Sequence, residues 1–382
     1  MKTSTERILT THVGSLPRPD RLIGLLRKKD QGESYDQLEF DQCVSTAVDE
    51  VVARQVSAKI DVVSDGEMSK ISYATYLKDR LTGFNGTAQE NRAAGDLLDF
   101  INYARRLVEQ GGTERTLQGP ACDSPLSVRD DTVLEKDLTN FGAAVKQNQP
   151  MEGFLTAASP GVVTVFLQNQ YYPDHDTYLE ALAEILKSEY EAIVASGAVL
   201  QLDCPDLAMG RHVVHRKRSV GEFRNIAARH IEVLNAATAN IPAELMRLHL
   251  CWGNYSGPHH HDIDLPDILD LVYKARPQAI SIEGANPRHA HEWIVFDRHP
   301  LPDEKIIIPG VIDSTSNFIE HPELVAQRIC TYASKVGRER VIAGADCGFA
   351  TFAERPAVDP EIAWAKLDAL VEGAALASER LW

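Results

Sequence analysis

The sequence predicts an α/β fold in which eight strand-then-helix units close into a (β/α)8 TIM barrel. Three observations carry this expectation. Eight apolar or β-branched runs recur along the chain, each followed by a polar turn and then by a helical pattern. The runs are continuously apolar rather than alternating, as strands covered on both faces are. Chemically versatile side chains gather just after the runs, where a barrel presents its active face. The competing arrangement is a doubly wound open sheet.

In chain order the runs occupy 8–13, 61–64, 162–167, 199–202, 246–251, 279–282, 305–312 and 340–345. After Asp176, the residues Leu179, Leu182, Leu186 and Ile193 fall on one helical stripe, and Gly197 is placed to end it. The last helix opens Asp359-Pro360-Glu361, which supplies a cap, a proline tolerated in the first turn and an acid favoured by the helix dipole. About 100 residues separate the second run from the third, more than a simple crossover needs. Residues 67–161 are therefore expected to form a long insertion between strands 2 and 3, a decorated loop region with a polar, glycine-containing stretch at 82–95 and a helical pattern at 97–109. No Pro/Ser-rich linker marks its edges, so residues 1–382 are read as a single barrel domain.

Composition excludes several functional classes. Hydrophobic residues at 44% and charged residues at 25% are ordinary globular values. A formal charge of −16 without any basic block argues against a nucleic-acid partner. No run reaches the roughly 18 apolar residues of a membrane helix, and the N-terminal MKTSTERILTTHVGS lacks a signal peptide's apolar core, so a cytoplasmic protein without a membrane partner is expected. In that setting the six cysteines, 43, 122, 204, 251, 330 and 347, are free thiols or metal ligands.

Metal-ligand residue types cluster on strands five, six and eight. His249 and Cys251 stand two apart on a strand and so point to the same side, while Glu283 and Cys347 end nearby strands. Together they make a His/Cys/Glu/Cys set of the composition Zn²⁺ accepts. The alternative for the His-x-Cys pair is a buried cysteine beside a hydrogen-bonded histidine. Two thiolates and a carboxylate make the ion a poor activator of water, yet leave it able to hold an incoming thiol as a nucleophilic thiolate. Thiol alkylation is the matching chemistry.

The stretches His12-Val13-Gly14-Ser15-Leu16-Pro17, Asp65-Gly66-Glu67, Gln201-Leu202-Asp203, His249-Leu250-Cys251-Trp252-Gly253, Glu283, Pro309-Gly310-Val311 and Asp346-Cys347-Gly348 span most of the chain. In these stretches the sequence resembles the catalytic domain of cobalamin-independent methionine synthase. Within that superfamily it is most similar to short single-barrel members such as epoxyalkane:coenzyme M transferases. The resemblance implies zinc on His249, Cys251, Glu283 and Cys347. It implies a substrate amino-acid group held by Ser15, Glu67 and Asp203, and His12 joins this substrate-binding set. Where the family has Gly-Val-x-Asp-x-His-Ser, this chain reads Gly310-Val311-Ile312-Asp313-Ser314-Thr315-Ser316. Asp313 is the candidate catalytic residue, but the family's histidine is Thr315 here. A substitute proton donor is sought among His259, His260, His261, His289 and His291.

The histidine triplet is read as solvation or substrate contact rather than a second metal site. Tyr171 and Tyr172 either stack on a flat donor such as a pterin or cover the barrel mouth. Arg288 either neutralises a substrate anion or pairs with an acid such as Glu292. From its length, the chain is expected to lack the additional N-terminal barrel that helps long methionine synthases bind polyglutamylated folate.

The expected function is a zinc-dependent thiol alkyltransferase that moves a methyl group from a 5-methyltetrahydrofolate-like or other donor to homocysteine or a related small thiol. Its partners are small molecules, with self-association left open. The alternatives are an epoxide-opening coenzyme M-type alkyltransferase, in which Arg288 and Arg211 would hold a sulfonate, and more distantly a metal-free enzyme like uroporphyrinogen decarboxylase. A non-catalytic thiol- or zinc-binding module is the remaining reading.

Overall fold

The structure, a computed structural model, describes residues 1–89, 92, 94–109, 119–354 and 356–382. Eight parallel strands build the barrel: β1 (Leu9–Thr10), β2 (Val62–Val63), β3 (Glu152–Ala158), β4 (Val199–Asp203), β5 (Met246–His249), β6 (Ala279–Ile282), β7 (Ile306–Ile312) and β8 (Ile342–Ala345). Their order around the sheet is β1-β8-β7-β6-β5-β4-β3-β2, with every ladder parallel. The remaining gap closes through the backbone: Asp61 N donates to Thr10 O at 3.2 Å. The Thr11 hydroxyl adds a bond to Val62 O at 3.0 Å, and Thr10 N donates to Asp61 Oδ2 at 2.8 Å. No helix among the described residues is long and apolar enough to cross a membrane.

Seven of the eight expected strands lie where the apolar runs place them. The third does not. Residues 162–166 belong to the helix Pro160–Phe166 and Leu167 follows its end, while β3 lies earlier, at Glu152–Ala158. The cap outweighs the β-branched run: Ser159 Oγ accepts from Val162 N at 3.0 Å and Pro160 occupies the first turn. The segment added between β2 and β3 therefore ends before Glu152. It contributes the helices Leu77–Arg80, Gly95–Asp99, Ile101–Glu109 and Thr132–Asn148. Two short antiparallel pairings tie it together, Leu81–Thr82 with Ser127–Val128 and Gly86–Thr87 with Pro120–Cys122.

The outer helices start as their sequences dictate. Asp174 caps His175–Ala195 and Asp359 caps Pro360–Leu381, each through a carboxylate that accepts a backbone N–H. Inside the barrel a polar column stands below the active face. Arg247 is 1% exposed and lies 3.5 Å from the Phe154 ring centre. It donates to Gln201 Oε1 at 2.7 Å, to Thr11 Oγ1 at 3.0 Å and to His12 O at 2.5 Å. A buried guanidinium is tolerated because its donors are satisfied.

Candidate functional site

A cavity of about 980 Å³ opens at the carboxyl ends of the strands. Ser15, Glu67, Asp203, His249, Cys251 and Cys347 all line it. Three of them converge as possible metal ligands, since one donor atom each of His249, Cys251 and Cys347 falls within 4.8 Å of the others. The two Sγ atoms are 3.6 Å apart. Tetrahedral zinc with Zn–S bonds of about 2.3 Å sets two sulfurs about 3.8 Å apart, so the thiol pair fits that ion without rearrangement. The hydrogen bond between the thiols, together with burial, pushes Cys251 well above the ordinary thiol range. A cation is what would let both release their protons.

His249 is in the form a metal requires. Burial, helped by the nearby Arg247 charge, lowers its pKa to about 3 and keeps the imidazole neutral. Nδ1 lies 3.4 Å from the Ser281 hydroxyl, whereas Nε2 is buried without a hydrogen-bond partner. An orphaned ring nitrogen beside two thiols fits a metal ligand. Glu283 stands beside this trio rather than within it. Its Oε1 accepts from Trp252 N at 2.8 Å and its Oε2 from Asn286 Nδ2 at 2.7 Å. Asp346 secures that corner by accepting from the backbone N–H groups of Gly284, Ala285 and Asn286 at 2.7 to 2.8 Å.

The other side of the cavity floor is acidic. Glu67 sits on a left-handed backbone, φ 56°, a conformation that non-glycine residues adopt at a cost. It is held there from several sides. Lys70 Nζ donates to Thr156 Oγ1 at 3.0 Å, and Thr156 Oγ1 donates to Glu67 Oε1 at 2.9 Å. Buried Arg18 binds the Glu67 carbonyl at 2.7 Å and stands 3.9 Å from Oε2, which accepts no hydrogen bond. Gln201 fixes Asp203 by donating to Oδ1 at 2.7 Å. Burial and the neighbouring Glu67 charge push the Asp203 pKa up to about 8. Both carboxyl groups line the cavity, and this is chemistry that could receive a cationic group such as an ammonium.

Ser15 reaches the cavity because residue 348 lacks a side chain: a Cβ there would lie 2.0 Å from Ser15 Oγ. His12 does not reach it. Its Nε2 pairs with Gln55 Oε1 at 2.7 Å and its Nδ1 accepts from Gly14 N at 3.1 Å, so it braces the turn that carries Ser15. Asp313 is also turned away. It caps its own turn by accepting from Thr315 N at 2.9 Å and Thr315 Oγ1 at 2.8 Å, and it does not line the cavity.

None of the histidines sought as proton donors lines the cavity. His289 is clamped between Asp262 at 3.1 Å and Glu292 at 2.8 Å, and His259 between Asp262 at 2.9 Å and the Tyr255 carbonyl at 3.0 Å. His260 and His261 share the exposed Asp99 carboxylate of the inserted helix. Arg288 pairs with Asp264 at 3.4 Å, and Arg211 donates to His215 O at 3.1 Å. Tyr172 stacks on Tyr178 with centroids 5.6 Å apart, Tyr171 packs edge-on against Tyr172, and neither lines the cavity.

Sequence reasoning missed Arg18 and Lys70, which carry no local signal. Thr156 was hidden by the misplaced third strand.

A family model described as the catalytic domain of cobalamin-independent synthase matches residues 114–373. The chain belongs to that family. It is an enzyme of the cobalamin-independent methionine synthase type, in a short single-barrel form. It is 24% identical to a methionine synthase of Saccharolobus solfataricus over 383 aligned positions, covering 97% of this chain and 95% of the relative. It is 25% identical to the methionine synthase of Pyrococcus furiosus, covering 95% and 90%. Among solved structures, a B12-independent methionine synthase from Shewanella sp. W3-18-1 in complex with selenomethionine superposes with a TM-score of 0.73 at 18% identity, covering 98% of this chain and 99% of that one. A protein from Listeria monocytogenes described as a putative vitamin-B12-independent methionine synthase gives 0.65 at 19% identity, covering 98% and 99%. These likenesses establish the barrel of this methionine synthase-type enzyme.

Proposed function

We propose that this chain is a zinc-dependent S-methyltransferase that moves a methyl group onto the thiolate of homocysteine or a related small thiol. The observation that carries the reading is the shared cavity: the thiols of Cys251 and Cys347 and the orphaned His249 nitrogen lie on the same floor as Glu67 and Asp203. Zinc held by His249, Cys251 and Cys347, with Glu283 as the displaceable fourth ligand, would supply the charge that keeps a substrate thiol deprotonated at neutral pH.

The chain's own residues do the rest. Glu67 Oε2 accepts the substrate ammonium, and Asp203 releases its proton as that cation arrives. The Ser15 hydroxyl, held in place by the His12-braced turn, orients the amino-acid end. This fixes the sulfur relative to the cavity, which is where positioning lowers the barrier. Residues 1–382 act as one catalytic barrel whose insertion supplies the outer wall. A cytoplasmic setting, which keeps the thiols reduced, accords with this reading.

The coenzyme M alternative finds no support at the cavity, because both arginines it relies on are engaged elsewhere. The test is bound zinc per chain, followed by zinc-edge absorption spectra with homocysteine and with coenzyme M. Stoichiometric zinc that gains a sulfur neighbour on adding homocysteine supports the reading. Correctly folded protein that binds no zinc sinks it and brings a metal-free, decarboxylase-like chemistry forward.

A further inference from the structure

Among the described residues, a second group of possible metal ligands converges away from the His249, Cys251 and Cys347 trio: one donor atom each of Asp99, His260 and His261 falls within 4.8 Å of the others. Two ring nitrogens aim at a single oxygen. His261 Nε2 lies 2.6 Å and His260 Nε2 2.9 Å from Asp99 Oδ2. Nitrogen and oxygen donors on one zinc ion stand about 2.9–3.4 Å apart, so modest turns of the two rings admit the ion. All three side chains are half-exposed, which leaves water free to complete the coordination shell.

The ligands come from opposite sides of one seam. Asp99 ends the inserted helix Gly95–Asp99, whereas His260 and His261 belong to the loop that follows β5, 161 and 162 positions further along. That seam is already closed by other contacts. Tyr103 OH donates to Ser256 O at 2.5 Å, Tyr255 OH to Asp96 Oδ1 at 2.8 Å, and His259 N to Asp96 Oδ2 at 2.8 Å. His259 takes a left-handed φ of 54°, and its ring is held by Asp262 and the Tyr255 carbonyl, so the next two histidines are presented from a fixed turn. Phe100 packs edge-on against the His260 ring at 5.5 Å. Leu97, Leu98 and Ile101 on one side and Asn254, Tyr255 and Ser256 on the other line the cavity, so the seam forms an edge of its mouth.

We infer that Asp99, His260 and His261 form a second metal site, which takes a borderline divalent ion such as Zn²⁺ and clasps the insertion to the loop after β5. Two imidazoles and one carboxylate suit Zn²⁺, Cu²⁺, Ni²⁺ or Co²⁺ rather than Mg²⁺ or Ca²⁺, which take oxygen ligands. Charge favours the ion as well. The His261 and His260 hydrogen bonds hold the Asp99 carboxyl below its ordinary range, so it is ionised. The buried Asp96 and Asp262 carboxylates, both bound to His259, add negative charge nearby. A histidine triplet by itself lacks the carboxylate, and the insertion supplies it. The inference does not depend on zinc in the cavity. Without a metal the same three groups make a pair of N–H···O bonds, and metal titration separates the two states.

The test isolates this site in the full chain carrying Cys251→Ser and Cys347→Ser, which lacks the cavity thiols, with folding checked by circular dichroism. Zn²⁺ titrated against a chromophoric chelator should bind at one equivalent per chain at micromolar free metal. Adding His260→Gln with His261→Gln, or Asp99→Asn, should remove that equivalent. Co²⁺ in the same background should give only weak visible bands, without the thiolate charge-transfer absorption that two cysteine ligands produce. Hydrogen exchange over 95–109 and 253–262 should slow when Zn²⁺ is added, and the histidine and aspartate variants should lose that slowing. Binding only at millimolar metal overturns the inference, and so does an equivalent that survives all three substitutions. Bound metal that leaves exchange unchanged overturns the clasp. The cavity reading fails separately: one equivalent here, with none gained when the two cysteines are restored, supports this site and removes zinc from the cavity.

Discussion

The Sγ atoms of Cys251 and Cys347 lie 3.6 Å apart although the residues are separated by 96 positions in the chain. Both cysteines are free, and the gap is well beyond a disulfide's roughly 2.05 Å. They are brought together because each follows the end of a barrel strand, and the strands are set by the apolar core rather than by the thiols. Replacing Cys251 or Cys347 by serine should therefore abolish most zinc binding and transfer activity while leaving the thermal midpoint of the metal-free protein nearly unchanged. Elemental analysis and a circular-dichroism melt check this. Glu283→Gln should lose less zinc, because its carboxylate already has Trp252 and Asn286 as partners.

Glu67 lines the cavity, and its Oε2, 3.9 Å from Arg18, accepts no hydrogen bond. Glu67→Gln should weaken methionine binding by roughly 10- to 100-fold, the worth of a hydrogen bond between charged partners. The same substitution should leave the affinity for 4-(methylthio)butanoate, which has no ammonium, almost unaltered. Equal losses for both ligands would place the ammonium elsewhere.

Gly161 is needed for a buried network. Asp206 accepts from Ser159 Oγ at 2.8 Å and pairs with His230 at 2.8 Å, and a Cβ on residue 161 would lie 1.9 Å from Asp206 Oδ2 and 2.6 Å from His230 Nδ1. Gly161→Ala should destabilise the protein by about 1–3 kcal/mol, the usual cost of overpacking a filled interior. Denaturant titration measures it, and a neutral result would mean that the network shifts without penalty.

Burial alone would lower the His289 pKa, but the hydrogen bonds to Asp262 and Glu292 outweigh it and raise the value to about 10. A folded pKa above the unfolded value of about 6.5 means that this imidazolium stabilises the fold fully below pH 6.5 and loses its contribution as pH climbs towards 10. The thermal midpoint should therefore fall over that window, and His289→Gln should flatten the fall. An unchanged slope in the variant would assign the pH dependence to other groups.

Most of the architecture was legible because parallel barrel strands are short, largely apolar and followed by capped helices. The exception shows the limit of that reading. The run Val162-Val163-Thr164-Val165-Phe166 looks like a strand by composition, yet Ser159 and Pro160 start a helix there, and the less conspicuous Glu152–Ala158 takes the strand position.

By itself the sequence determined the strand-then-helix rhythm, the family motifs and the set of candidate metal-binding residues, since each depends on residue type and local spacing. Only the tertiary structure decided which of those residues face the same space. It turned His12 and Asp313 away, because their polar atoms are taken by nearer partners. It left Glu67 Oε2 and His249 Nε2 without hydrogen-bond partners, and it supplied Arg18, Lys70 and Thr156 as supports. It also lined the outer cavity with side chains, both apolar and polar, from an insertion whose position over the barrel no local pattern encodes. Side-chain direction and the competition for hydrogen-bond partners are long-range properties, and they appear only when the barrel closes.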